Sequence, residues 1–509
     1  MVRASMVPML LVCCGLAAQA PQPGATPPAG EVKRLSLREA LQTSLQYNLQ
    51  VDIAQEARDV TRAQIPINEG TFDWNFTANL QAQRMDGASF APPAKGESAV
   101  GDIYTIYNRT LTADLARAFE WGGSLDLNYN PSYYNTVGTV LGTPPMGFSY
   151  PDPYTGTFNA TYTQSLLQGF GTKVTTANLV IARKNSDAAN YTFQLAIINL
   201  VAQTETDYWA VVFAQRDLAN KQISLELAQK QLNENMIRLK VGTMAPLDVT
   251  SAEAQVAQAE QNIITSEANL ANAKDTLIRD LYPNAERPAG LELTESPNLS
   301  HIQLDEDAAV KMAMDRRVEL KSDRIAQEVG QLQVDVSQDK TRPQLNAMVA
   351  YNGSTNNYDS LSPVNTDLGR ASYPGYTVGL KFIVPIQNRI AKGNLSAARA
   401  NLRSSELNLR NDELSIINQV RVAVRNIEAT QKGVKAAEKT RYLQEKTLEA
   451  EQKKFDNGMS TNFNVLQDMT NLDAARTAEV QAQINYANAV TTLEKSVGNL
   501  LEARNFTIK

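Results

Sequence analysis

One long internal repeat constrains this 509-residue chain more than any other feature. Val241-Gly242-Thr243-Met244-Ala245-Pro246-Leu247-Asp248-Val249 stands opposite Asn457-Gly458-Met459-Ser460-Thr461-Asn462-Phe463-Asn464-Val465, at an offset of 216 residues. Ala271-Asn272-Ala273 and Thr276-Leu277 return at the same offset as Ala487-Asn488-Ala489 and Thr492-Leu493. Upstream, Asn178-Leu179 and Ala182-Arg183 return as Asn394-Leu395 and Ala398-Arg399. Leu195, Asn199 and Val201 match Leu414, Asn418 and Val420 at an offset of 219. That slip is close to one helical turn, so the same helix face still points inward. The period is far longer than the roughly 20–50 residues of a solenoid unit. It reads as a duplicated half-protein, a pattern common in membrane transport proteins.

The bulk properties narrow the field. The net charge is −6 with both signs interspersed, so there is no clustered basic face for nucleic acid. Arg3, the short apolar run Met6–Ala18 and the small residues Ala17 to Ala20 read as a secretory signal. Cleavage after Ala17 leaves no cysteine, because both, Cys13 and Cys14, lie upstream. Lipid attachment at Cys14 is the alternative, although Cys13 stands where a small residue is expected. An exported chain with no apolar run of about 18 residues is either soluble or a β-barrel.

Residues 1–20 are thus expected to be the signal peptide and 21–35 a Pro-rich linker. Residues 36–282 would form the first repeat, 283–301 an inter-repeat segment, 302–501 the second repeat and 502–509 a tail. A helix is expected from about Ser36 to Ala63. Strands are expected after it, because Phe72, Trp74, Phe76, Ala78, Leu80 and Ala82 alternate with polar residues. The same period of two recurs at Leu111/Ala113/Leu115, Leu125/Leu127/Tyr129, Phe158/Ala160/Tyr162, Leu345/Ala347/Val349/Tyr351 and Tyr376/Val378/Leu380/Phe382. These segments run about ten residues, as a tilted membrane strand requires. Between them, 85–108, 131–154 and 353–374 read as long loops. Each strand group leads into a long proline-free helix, 175–240 and 391–456, ending at Gly242 or Gly458. Returning helices are expected over 246–281 and 461–501. Leu218, Leu225, Leu232 and Leu239, and Val249, Val256, Ile263, Leu270 and Leu277, recur every seven residues, which favours left-handed coiled-coil packing. Glu479 interrupts the corresponding apolar series in the second copy.

Helix, strands and long hairpin, given twice, resemble the TolC-like outer-membrane efflux protein family. The resemblance rests on the two Gly-centred tips and on the junctions Thr163–Gly171 and Phe382–Ile386. The paired openings Ala40-Leu41…Asn48-Leu49 and Ala309-Val310…Arg317-Val318 add to it. It implies an α+β membrane protein: a homotrimeric outer-membrane β-barrel continued by a periplasmic α-helical coiled-coil barrel. It implies a passive exit duct for efflux or type I secretion, gated at the helix tips. The implied partners are a periplasmic adaptor, an inner-membrane pump or ABC exporter, and outer-membrane lipid. Family barrels take two strands from each half, whereas this first half offers an extra pair, about 109–118 and 123–130. Whether that pair joins the barrel is open at this stage. Acidic rings of the family gate correspond here to Asn464 and Gln467, a basic gate residue to Ser460, and a retained acid to Asp248. The resemblance therefore implies an amide-lined gate of weaker cation selectivity, the alternative being that both amides are ordinary solvated helix residues. Val241, Gly242, Thr243, Asn457, Gly458 and Met459 would form the adaptor-docking tips, although the glycines could equally serve only to end the helices.

Enzymatic chemistry is not expected. His301 stands alone, no Cys/His set has metal spacing, and no Gly-rich loop has a phosphate-binding context, so no cofactor is implied. Asp305-Glu306-Asp307 reads as an acidic helix start, and Arg421 and Arg425 as one helix face, lining the tunnel or solvated. The rival reading is an exported coiled-coil protein that tethers envelope layers without conducting.

Overall fold

A computed structural model describes residues 32–90, 101–141, 146–149, 153–283, 288, 290–300 and 305–506. The expected signal segment with Cys13 and Cys14, the Pro-rich linker as far as residue 31, His301 and the last tail residues lie outside the described residues. The chain runs β1 (Val32–Leu35), α1 (Leu37–Tyr47), α2 (Leu49–Glu69), β2 (Asn75–Phe90), β3 (Gly101–Ala118), β4 (Gly123–Leu141), β5 (Met146–Ser149), β6 (Tyr154–Ser165), α3 (Thr172–Thr175), α4 (Ala177–Lys240) and α5 (Pro246–Leu281). It continues through β7 (Gly290–Leu293), α6 (Glu306–Arg316), α7 (Val318–Asp339), β8 (Gln344–Ser354), α8 (Leu361–Arg370), β9 (Tyr373–Ile383), α9 (Arg389–Asp456), α10 (Asn462–Val497) and α11 (Leu500–Ala503). Two short helices, strands, a very long helix and its return thus occur twice in the same order. Contacts group the chain into two compact units. Of the described residues, one comprises those within 32–49, 203–300 and 430–488; the other comprises those within 50–202, 305–429 and 489–506.

The second unit holds an antiparallel sheet in the order β2-β3-β4-β6-β8-β9, with β5 added on β4. The extra hairpin of the first half therefore belongs to this sheet, between β2 and β6. Its turn closes through the Phe119 N–H donating to the Gly123 carbonyl at 2.8 Å. β2, β3 and β4 reach 16, 18 and 19 residues, longer than expected. Most of the expected loops 85–108 and 131–154 are strand, and 353–374 contains α8. Thr, Tyr, Asn and Gly fill those stretches without hydrophobic contrast, so the period of two is hidden although backbone pairing continues. Phe72 closes a 3-10 turn, Gly70–Phe72, and the strand starts only at Asn75.

Register sorts the sheet into two chemically distinct faces. Phe76 pairs with Leu115, which pairs with Leu127, which pairs with Ala160, then Tyr351 and Tyr376. One residue along, Thr77, Asp114, Asn128, Asn159, Asn352 and Gly375 pair in turn on the opposite face. The apolar face is open: Leu80, Val378 and Leu380 are 79, 80 and 72% exposed. α8 lies on this apolar face. Val364 is fully buried there, and a Cβ on Gly156 would come within 2.6 Å of its Cγ1. Tyr129 donates to Asn365 Oδ1 at 2.5 Å, and Tyr358 bonds to Asp367.

Local rules account for the helices around the sheet. Ser36 caps α1 in a full capping box with Glu39, and Asp305 caps α6 by accepting from the Ala308 N–H at 3.1 Å. The expected single helix 36–63 is broken at Asn48, whose amide donates to the Asp280 carbonyl at 2.8 Å. The second half breaks in the same way at Arg317, between α6 and α7. The second return helix ends at Val497, because Gly498 takes φ +83°, and α11 follows separately. In the first unit, β1 and β7 pair in parallel over a core of Leu35, Tyr208, Trp209, Leu277, Leu281 and Ile484. Among the described residues no helix is long and apolar enough to cross a membrane.

One half-buried acid sets a pH dependence. Burial raises the Asp207 carboxyl to about 6, with neighbouring Asp280 adding to the shift while Gln203 and Arg279 oppose it. The folded form therefore holds this proton more tightly than the unfolded chain, whose carboxyl titrates near about 4. Stability from this group is greatest in acid and is lost as pH rises through about 6. The unfolding midpoint is expected to fall between about pH 5 and pH 7. Asp207→Asn should remove that component and raise the midpoint at neutral pH, as calorimetry would record. Separately, Gly156→Leu should displace α8, read as faster amide exchange across residues 361–370.

Candidate functional site: the two hairpin tips

The two tips end with the same backbone device. Gly242 and Gly458 adopt φ of +79° and +72°. The Gly242 N–H donates to the Leu239 carbonyl at 3.0 Å and the Thr243 N–H to the Arg238 carbonyl at 2.9 Å. Gly458 repeats this onto Phe455 at 3.0 Å and Met459 onto Lys454 at 2.8 Å. Both are Schellman ends, which satisfy the last helical carbonyls and need a residue free to adopt positive φ. Pro246 then opens α5 in its first turn. The tips leave apolar side chains in solvent: Val241, Leu247, Met459 and Phe463 are 68–75% exposed.

Behind the tips lies a buried amide cluster that the sequence reading missed. Asn462 Oδ1 accepts from Asn235 Nδ2 at 2.8 Å and from Gln231 Nε2 at 3.2 Å. Asn462 Nδ2 donates to the Asp248 carbonyl at 3.0 Å. All three amide side chains are 3% exposed or less. Asp248, the expected gate acid, is thus tied to the opposite hairpin through its backbone, with its carboxylate half-exposed in the first turn of α5. Arg238 adds a second link between hairpins. It donates to Asp456 at 2.7 Å and to the Phe455 carbonyl at 3.2 Å, and lies 4.3 Å from the Phe455 ring centroid.

Three of the remaining gate candidates lie along the exposed side of the second tip. Ser460 donates to the Glu451 carboxylate, and Asn464 Nδ2 donates to Ser460 Oγ at 3.3 Å. Gln467 bonds onward to Asn471 at 3.2 Å and not to Asn464. Ser460, then Lys454, hold the Glu451 carboxyl below the usual carboxylate range. The second tip therefore carries an ionised acid beside its amides, on the outgoing helix rather than on the returning one. Of the docking candidates, Asn457 Nδ2 donates to the Lys453 carbonyl at 2.7 Å, which makes it a cap.

The long hairpins are joined by polar groups above the tips. Lys221 Nζ lies 2.7 Å from Asp473, which also accepts from Ser224 at 2.6 Å. Asp217 accepts from Thr477 at 2.8 Å and from Ser266 at 2.9 Å. Apart from the buried Ser266, these groups are half-buried, as are Leu218, Leu225, Leu232 and Leu239 beside them. A signal for this was present in the sequence, since Asp217, Ser224 and Gln231 are themselves seven apart. Glu479, which interrupts the apolar series, is accommodated by Arg441 at 2.6 Å. Arg421 pairs with Glu306 at 2.9 Å and Arg425 donates to the Arg421 carbonyl, so both are engaged locally. Near the tips, a cavity of about 450 Å³ is lined by Lys230, Glu234, Glu445, Glu449, Asp456 and Arg476 over Leu448 and Met469. Acids outnumber bases along that lining.

The family model of outer membrane efflux proteins matches residues 122–281 and 309–499, and the chain belongs to that family and to the outer membrane. It is 27% identical over 215 residues to the outer membrane protein TolC of Salmonella enteritidis, covering 41% of this chain and 42% of that one. The chain thus spans under half the length of the curated relatives it matches. Its fold is similar to that of the outer-membrane channel OprN, with a TM-score of 0.66 at 15% identity, over 91% of this chain and 90% of that one. It is similar also to the CmeC outer membrane channel of Campylobacter jejuni, with a TM-score of 0.63 at 15% identity, over 91 and 86% of the two chains.

Asn462→Leu should leave the buried Asn235 amide without its acceptor, at a cost of about 1–3 kcal/mol, while Gln231 keeps its bond to Asn235 Oδ1. The expected result is faster hydrogen exchange over 231–248 and 457–466, measured by mass spectrometry.

Proposed function

We propose that this protein is a passive exit duct for efflux or type I secretion, closed at the hairpin tips at rest. The observation that carries the reading is the sheet with one apolar face, one polar face and two open edges. Three copies would place β2 of one chain beside β9 of the next, with the apolar faces in lipid and the Asn/Thr-rich faces around water. Each copy would contribute six strands to the closed barrel, the family's usual strands plus the hairpin β3–β4. The periplasmic helices would continue the duct, and the repeats 36–282 and 302–501 would derive from one duplicated half. Homotrimerisation of this kind covers the unpaired strand edges that hydrocarbon does not tolerate.

Gating falls to Asp248, Ser460, Asn464 and Gln467, with Glu451 beside them. The exposed apolar group around Val241, Gly242, Thr243, Asn457, Gly458 and Met459 suits contact with a periplasmic adaptor. The acidic cavity between the hairpins favours an adaptor segment that presents basic residues. An inner-membrane pump or ABC exporter would supply the energy. Planar-bilayer recordings test the duct. Wild-type protein should form channels, and Asn464→Asp/Gln467→Asp should raise cation over anion permeability several-fold. Channels of unchanged selectivity would move the gate elsewhere. No conductance, even after Asp248 and the tip glycines are replaced to loosen the gate, would favour an envelope tether.

A further inference from the structure

The apolar face of the sheet ends in cations on β3. Arg117 and Arg109 lie on this face eight residues apart, roughly 27 Å along the strand. Between their levels the outward positions are Leu115, Ala113 and Leu111 on β3, with Leu127, Tyr129, Phe158 and Ala160 across from them. No charged side chain of β3, β4 or β6 faces outward in that interval, part of which α8 covers at Gly156 and Tyr129. Arg117 sits at the end from which the long helices leave. It is engaged there by Trp74 and Phe119 at 5.5 and 5.4 Å and by the Phe72 carbonyl at 2.9 Å.

Arg109 sits at the opposite end and is differently placed. Its side chain is exposed over the Tyr133 ring at 5.5 Å. Among the described residues no carboxylate lies within ion-pair distance of it, and none of its guanidinium donors has an acceptor. Arg84, its diagonal neighbour on β2, is already held by Asp86 at 3.2 Å. Asn135 Nδ2 donates to Tyr133 Oη at 3.2 Å, so the Tyr133 hydroxyl is left to donate its own proton outward. Tyr154 packs edge-on against Tyr133 at 4.9 Å and fixes the ring. An exposed guanidinium and a half-exposed hydroxyl thus stand side by side on the sheet's apolar face, both with donors to spare among the described residues. A guanidinium at that level would be held best by charge-assisted bonds to an anionic acceptor.

We propose that Arg109 and Tyr133 form a binding site for the phosphate of an anionic glycolipid in the outer leaflet. Arg109 supplies the paired donors, Tyr133 a third, and Asp86 is kept from repelling the anion by Arg84. The site rests on the proposed barrel orientation, in which the helix-bearing end faces the periplasm.

The test uses purified full-length protein with phosphorylated lipopolysaccharide, its dephosphorylated form and inorganic phosphate, read by native mass spectrometry. The phosphorylated lipid should bind at least about ten-fold more tightly than the dephosphorylated form. Arg109→Gln should remove that margin, Tyr133→Phe should reduce it, and Arg109→Lys should keep part of it. Equal binding of the two lipids, or full binding by Arg109→Gln, would overturn the site. Displacement by millimolar inorganic phosphate would overturn the lipid assignment in favour of a free-anion site. Bilayer conductance measured on the same samples separates the cases: channels without selective lipid binding sink this site alone, and absence of channels sinks the barrel reading beneath it.

Discussion

Unpaired backbone at a sheet edge is the constraint on which the rest of this architecture depends. In hydrocarbon each unsatisfied N–H or C=O costs several kcal/mol, roughly, so a spanning sheet must close. Within one chain β2 and β9 remain edges of the sheet, which the proposed trimer would close. The two faces make the point sharper. A sheet with Leu, Val and Phe on one side and Asn, Thr and Asp on the other needs an apolar surrounding on its first side and water on its second. Assembly that wraps the apolar side outward satisfies edges and faces together. In the proposed trimer the hairpin β3–β4 would widen each chain's share, since its register keeps the same face apolar.

The helical hairpins solve a different problem. Coiled coils built on uniform apolar seams slide, because neighbouring registers bury similar surface. Here the seam centre alternates apolar residues with Asp217, Lys221, Ser224, Gln231 and Asn235, each partnered by residues of another helix. A shift by one heptad would break these pairs, among them Lys221 with Asp473 and Asn235 with Asn462. The polar cluster therefore specifies which turn of α4 meets which turn of α10. At the tips the same chemistry sits where movement would matter, with Asn462 joining three segments through one side chain.

The candidate gate was legible in part. Tip positions, helix ends and the Pro246 start follow from glycine and proline rules that act within a few residues. Asn464 and Gln467 do lie on an exposed side of the second tip. Glu451 escaped notice because its neighbour Ser460 is brought to it by the chain reversal at Gly458. Asn235 and Gln231 escaped because buried amides look like solvated ones until their partner, more than 200 residues away, is known.

By itself the sequence determined the element types, the helix limits to within a few residues, and the alternation that separates the sheet's two faces. These depend on local periodicity, on capping and on where proline and glycine stand. Tertiary structure alone decided how far the strands run through Thr- and Tyr-rich stretches, that β3–β4 enters the sheet, and that α8 rests on its apolar face. It also decided which polar residues meet across the long hairpins and that Arg109 has no carboxylate partner among the described residues. Each of these is set by pairing between distant segments, and pairing energy depends on which groups meet. A one-dimensional pattern carries that information only as a spacing without a partner.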